Sequence, residues 1–188
     1  MHRVVNATTA GSVGDLGRIA RRLAEENINI AAVGGGEGFA RGGSVGHIAF
    51  LIDADDGRSD AEILSKLIGM ELSTQQGQAQ RTLDSVEIFK AIDLELDDKV
   101  GELAAVGELL GAALIDIKGA LSVDVHADWG IIALAFADDD VDQARDILSN
   151  AQDAQGQPRF KVYPEHGARK RRHKVDNAIK GKVGKGDG

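Results

Sequence analysis

The chain has 188 residues, 43% of them hydrophobic, no cysteine and a formal net charge of −8. Disulfides, thiolate catalysis and cysteine-ligated metals are therefore excluded together, an intracellular (cytoplasmic) location is favoured, and no apolar run approaches the roughly 18 residues of a membrane span. The charge is uneven: residues 169–188 carry eight Lys/Arg and two Asp, a net of +6, leaving 14 basic against 28 acidic residues, a net of −14, on residues 1–168. An acidic body repels nucleic acid, so only the basic tail is suited to it.

In chain order, Arg3–Thr8 reads as a strand and Thr9–Gly11 leads into a loop. Leu16, Ile19, Ala20, Leu23 and Ala24 then recur at i, i+3, i+4, i+7 and i+8, one apolar stripe of a helix. Ser12 and Asp15 have the spacing of a capping box, which predicts a helix start near Gly14, and Asn27 is its stop. Ile28–Val33 is a second strand. Gly34–Ser44 is so rich in glycine that it reads as a mobile hairpin connection. His47–Ile52 is a third strand. Asp53–Asp60 supplies caps and negative charge to a helix that buries Ile63, Leu64, Leu67 and Ile68. Glu71–Gln80 reads as a loop, and a fourth strand over Arg81–Ile88 runs on into a long alternating stretch. There Val86, Ile88, Ile92, Leu94 and Leu96 share one face, with Lys90 breaking the set.

The pattern then begins again. Lys99-Val100-Gly101-Glu102-Leu103 repeats Ser12-Val13-Gly14-Asp15-Leu16 at an offset of 87, and Ile115-Asp116-Ile117 repeats Ile28-Asn29-Ile30. Further on the offset is 84: Gly130 matches Gly46, and Ile147-Leu148 matches Ile63-Leu64. A helix over Gly101–Leu110, strands over Leu114–Ser122 and Ile131–Ala137, a helix capped by Asp138–Asp140 and a last strand at Phe160–Tyr163 complete the second copy. Each copy reads strand–helix–strand–strand–helix–strand, so the expected fold class is α+β: two ferredoxin-like βαββαβ domains in tandem, at 1–83 and 84–165, plus a basic flexible tail at 166–188. Such a sheet has one face bare of helices, which needs a repeat, a partner or a dimer mate to cover it.

The doubled pattern, the helix starts Gly14-Asp15-Leu16 and Gly101-Glu102-Leu103, and the strand openings at Ile28-Asn29-Ile30 and Ile115-Asp116-Ile117 resemble the ACT domain, a small-molecule regulatory module of amino-acid metabolism. Val13 and Val100 stand where that family usually has proline, and only Asp98 keeps the acidic residue before it. The resemblance implies a non-catalytic protein that binds an amino-acid effector at domain interfaces. It also implies a homodimer and a catalytic or regulatory protein partner, with no cofactor. It places the ligand on the loop before the first helix and on the following strand. That selects Ser12, Val13, Gly14, Asp15, Leu16, Asn29 and Ile30 in the first copy, and Asp98, Lys99, Val100, Gly101, Glu102 and Asp116 in the second. Local chemistry agrees: a helix N-terminus suits a carboxylate, and Asn29 offers both a donor and an acceptor. Asp116 accepts only, so the first copy is expected to hold the better site.

Other readings are less economical. Gly34–Ser44 lacks the Gly-Lys-Ser/Thr ending of a phosphate loop. Asp124, His126 and Asp128 alternate as metal ligands would, yet fit a hydrophilic turn better. Asp53–Asp60 breaks the ligand order of a calcium loop. No nucleophile has a base near it in sequence, so no enzyme is indicated. Two alternatives stay open: a dedicated subunit of a biosynthetic enzyme, of the acetolactate synthase small-subunit type, and a nucleic-acid-associated regulator acting through Arg169–Lys174.

Overall fold

A computed structural model describes residues 2–9, 14–40, 43–53, 57–72, 81–83 and 85–163. Ser12, Val13 and the basic tail lie outside the described residues. The elements are β1 (His2–Thr9), α1 (Asp15–Glu25), β2 (Ile30–Ala40), β3 (Gly43–Ile52), α2 (Asp60–Leu67), β4 (Glu71–Leu72), β5 (Arg81–Thr82), β6 (Ser85–Asp97), α3 (Glu102–Ala112), β7 (Gly119–Val125), β8 (Trp129–Phe136), α4 (Val141–Asn150) and β9 (Lys161–Tyr163). One antiparallel sheet of order β2-β3-β1-β6-β8-β7 runs through both halves, with β9 beside β6, while β4 and β5 pair separately.

The long alternating stretch is the strand that joins the halves. Ser85–Ala91 of β6 pair with β1, and Lys90–Asp97 pair with β8. Asp93–Glu95 pair with β9 on the edge that β1 has left. The first part of β6 thus lies beside β1 as β9 lies beside the second part, so one strand closes the first half and opens the next. An offset of 87 in the sequence takes Arg3 to Lys90, and Arg3 pairs with Lys90. The same offset exchanges the neighbouring pairs Val4–Phe89 and His2–Ala91.

Pleating sends alternate residues of β6 to opposite faces. Val86 and Ile88 pack into a core with Ile19, Leu23, Phe50, Ile63 and Leu67 beneath α1 and α2. Ile92 and Leu94 pack into a second core with Val106, Leu110, Phe136 and Leu148 beneath α3 and α4. Lys90, on the same face, marks the seam and pairs with Asp138 at 3.3 Å. The other face holds a third core of Val4, Leu51, Ala91, Leu121, Ala133 and Ala135. The sheet therefore curls until its two halves cover each other, and a Cβ added to Gly34 on β2 would sit 2.6 Å from Leu121 Cδ2 on β7. Small residues make that approach possible.

This packing corrects the reading of Gly34–Ser44. Its described residues are strand: Gly34–Ala40 pair with Gly43–Ala49 in a regular ladder. Gly35 has the His47 carbonyl oxygen 2.6 Å from the position of a Cβ, so glycine is selected there by close approach rather than by mobility. The capping box expected at Ser12 involves a residue outside the described ones. The N-cap of α1 is Gly14 itself at φ 91°, with no side-chain cap, and the N-cap of α3 is Gly101 at φ 96°. Both need the left-handed backbone that glycine adopts without strain. A capping box does form at α2, between Ser59 and Glu62. Ile68, expected in the core, is the C-cap of α2 and is exposed, because the extended backbone there turns its side chain outward.

Candidate functional site

The loop Asp98–Gly101 lies at the end of β6, where Asp97 pairs with Trp129 at the start of β8. The β7–β8 turn is therefore brought against the N-terminus of α3, and is closed by the His126 amide donating to the Trp129 carbonyl at 2.9 Å. Between loop and turn is a cavity of about 300 Å³. Leu96, Leu103, Ile132 and the Trp129 ring form its apolar side, and Asp98, Lys99, Ser122, Asp124 and His126 its polar side. The Asp98 amide donates to the Asp128 carbonyl at 2.9 Å, which ties the loop to the turn.

Several of these groups are held in place. The His126 and Trp129 rings stack with centroids 3.8 Å apart, and His126 Nε2 lies 3.3 Å from Asp124 Oδ2. Lys99 Nζ donates to Asp97 Oδ2 at 2.6 Å, and that bond raises its pKa, keeping the ammonium charged. Glu102, in the first turn of α3, receives Arg159 at 3.2 Å. The Asp98 carboxylate accepts no hydrogen bond among the described residues. A cation, carboxylates and an aromatic wall thus meet within one small volume. The arrangement can hold a zwitterion.

The expected site residues separate into groups. Asp98, Lys99 and Glu102 line the cavity, with Gly101 opening the helix behind it and Val100 wholly exposed at its rim. In the first half, Asp15 is buried and accepts from Arg18 at 2.7 Å, while Leu16 is half exposed. Asn29 does not meet Gly14–Leu16. Its amide donates to Asp53 Oδ2 at 2.9 Å, and Asp53 Oδ1 lies 3.3 Å from His2 Nε2. Asn29 is thus at the His2 end of β1, a strand length of about 23 Å from the Thr9 end where α1 begins. Ile30 packs against the first core. Asp116 pairs with Lys118 at 2.7 Å, an exposed contact that raises the lysine pKa. Trp129, Leu96, Leu103 and Ser122 were not legible as site residues; the signal for them is the ladder between β6 and β8, which a sequence without register does not reveal. Among the described residues, no group of three His, Asp or Glu is placed to hold a metal ion.

No family model and no curated protein matches this chain. Solved structures do resemble it. The structure of aspartokinase alpha and beta subunits aligns at TM-score 0.50 with 15% identity, over 79% of this chain and 90% of that one. The ligand-free regulatory subunit of aspartate kinase from Thermus thermophilus aligns at 0.47 and 14%, over 78% and 89%. Protein BT0572 from Bacteroides thetaiotaomicron aligns at 0.49 and 16%, over 85% and 91%. At such identities the likeness to the aspartokinase structure is one of fold.

Proposed function

We propose that the chain is a non-catalytic regulatory protein made of two ACT-type units, 1–83 and 84–165, with a basic segment at 166–188. On this reading it binds a free amino acid in the second unit's cavity and modulates a partner in amino-acid metabolism. The supporting observation is the cavity between Asp98–Gly101 and the β7–β8 turn, whose volume of about 300 Å³ suits a small molecule. Asp98 and Asp124 are placed for an ammonium. Lys99 and the first-turn amides behind Gly101 are placed for a carboxylate, and Trp129, Leu96, Leu103 and Ile132 for a side chain. The proposal puts the site in the second unit, where the expectation favoured the first. There the Asn29 amide is engaged by Asp53, and Gly14–Leu16 lie at the other end of the sheet. The fold likeness to the aspartokinase structure is consistent with a module of this kind. A homodimer, in which a second chain extends the sheet, belongs to the same proposal.

Trp129 is the chain's one tryptophan, so its fluorescence reports the cavity alone. Titrating the full chain with each of the twenty amino acids should give a saturable change with one or a few related ones. It should come with a thermal stabilisation of about 2.7 kcal/mol at one hundred times the dissociation constant. Both signals should be lost in Asp98→Ala and Lys99→Ala. A folded sample that responds to none of the twenty refutes the proposal.

A further inference from the structure

A different surface carries a different chemistry. Arg18, Arg21, Arg22 and Lys66 line one open groove of about 770 Å³ between α1 and the end of α2. The three arginines follow i, i+3, i+4 spacing and so share a face of α1. The acids around them account for part of the charge. Asp15 takes Arg18 at 2.7 Å, Glu25 and Glu26 take Arg22 at 3.5 and 3.2 Å, and Glu26 also takes Lys66 at 3.6 Å. Arg21 is exposed and pairs with no carboxylate among the described residues.

Three comparisons distinguish this from an ordinary solvated helix face. Arg18 stands in the first turn of α1, the end where the helix dipole is positive and a further cation is unfavourable. The residues 1–168 around them carry a net charge of −14, from 14 basic and 28 acidic side chains. The other half of the molecule lacks the feature altogether: the repeat aligns Arg18, Arg21 and Arg22 with Ala105, Glu108 and Leu109, and Lys66 with Asn150. The fold therefore does not require these cations, and Arg21 in particular has no carboxylate partner among the described residues.

We propose that this groove binds a small phosphate-bearing anion, as an input separate from the second unit's cavity. Guanidinium forks match phosphate oxygens in pairs, which a lone ammonium cannot do. Arg18 to Arg22 span about 6 Å of helix axis, the reach of two linked phosphates. Gly17 has no atom within 4 Å of where a Cβ would stand, so the ligand can approach the first turn closely. A free amino acid is disfavoured, because its ammonium meets the same cations.

The test is calorimetric titration of the full chain with pyrophosphate at low salt, for the parent, for Arg21→Glu, and for Arg171→Gln/Arg172→Gln in the basic tail. One-site binding is expected, weakened at least about ten-fold in Arg21→Glu, the loss of one charge-assisted contact, and unchanged in the tail variant. Arg21 is exposed, so the variant's melting curve should match the parent's; if it does not, Arg21→Gln replaces it. Absence of binding at millimolar pyrophosphate, binding indifferent to Arg21, or binding lost only in the tail variant overturns the proposal. So does a groove that takes a short single-stranded RNA through Arg21 and ignores pyrophosphate, which makes it a nucleic-acid surface.

Discussion

Leu114 should make the protein more stable when it is replaced by asparagine. Both helices that follow a long strand end in the same way: α1 closes with the Ile28 amide on the Leu23 carbonyl at 2.8 Å, and α3 with the Ile115 amide on Leu110 at 3.0 Å. In each case the residue after the C-cap takes a left-handed backbone, Asn27 at φ 56° and Leu114 at φ 60°. Asparagine tolerates that conformation, whereas an ordinary L-residue pays about 1–2 kcal/mol for it. Leu114 recovers little by burial, since 93% of it is exposed. Leu114→Asn should therefore stabilise by roughly 1 kcal/mol and raise Tm by about 2–4 °C, and Asn27→Leu should do the reverse. Urea unfolding with thermal melts measures both. A lower Tm for Leu114→Asn would refute the reasoning, and would mean that Leu114 is covered by another molecule. A parent Tm that rises with protein concentration would then identify that molecule as a second copy.

Three further outcomes follow from the packing. Gly35→Ala should cost more than about 2 kcal/mol, as overpacking against backbone does, while Gly36→Ala, with open space at its Cβ position, should stay within about 0.5 kcal/mol; denaturant midpoints separate them. His2→Ala should destabilise by about 1–3 kcal/mol, because Asp93 is 5% exposed and loses the 3.2 Å bond from His2 Nδ1; equal midpoints for parent and variant would remove the seam from the account. Ser59→Ala should lower Tm at neutral pH through the α2 cap. The Ser59 amide and hydroxyl both donate to Glu62, which holds its pKa below the usual glutamate value. A carboxylate whose folded pKa is depressed stabilises above its unfolded pKa and stops doing so as pH falls through the folded one. The Tm gap between parent and Ser59→Ala should accordingly narrow in acid, and a gap constant with pH would contradict the cap.

Periodicity was enough for the elements whose partners are local. The stripe Leu16, Ile19, Ala20, Leu23 and Ala24 gave α1, and alternation gave β6 with the passage from the first half to the second inside it. What periodicity misses is the residue chosen by something distant in sequence. Gly34 and Gly35 look like a flexible loop because glycine is usually selected for freedom, yet here they make room for Leu121 and for the His47 carbonyl. The resemblance assigns Asn29 and Gly14 to a site at a domain interface. Within one unit, a helix that crosses between parallel strands carries its two ends to opposite ends of the strands, and Asn29 donates to Asp53 at its own end. The cavity wall was hidden for the same reason, since Trp129 reaches Asp98 only through the β6–β8 register.

Lys90 shows how a break in a pattern can hold information. In an apolar run of even positions from Val86 to Leu96, a lysine looks like an error of phase. It stands where the strand passes from the core under α1 and α2 to the core under α3 and α4. Its partner across the ladder is Arg3, its own counterpart in the repeat, so two cations face each other on the internal axis. Each is neutralised outward, Arg3 by Asp60 at 2.6 Å and Lys90 by Asp138 at 3.3 Å, at the start of the second helix of its own half. A cation pair at the seam disfavours a tighter approach of the halves while each outward ion pair holds its half in place. The His2–Asp93 contact on the opposite face pulls the same strands together. On the proposed function, a ligand at the end of β6 acts on the first half only if it binds one arrangement of these contacts more tightly than another.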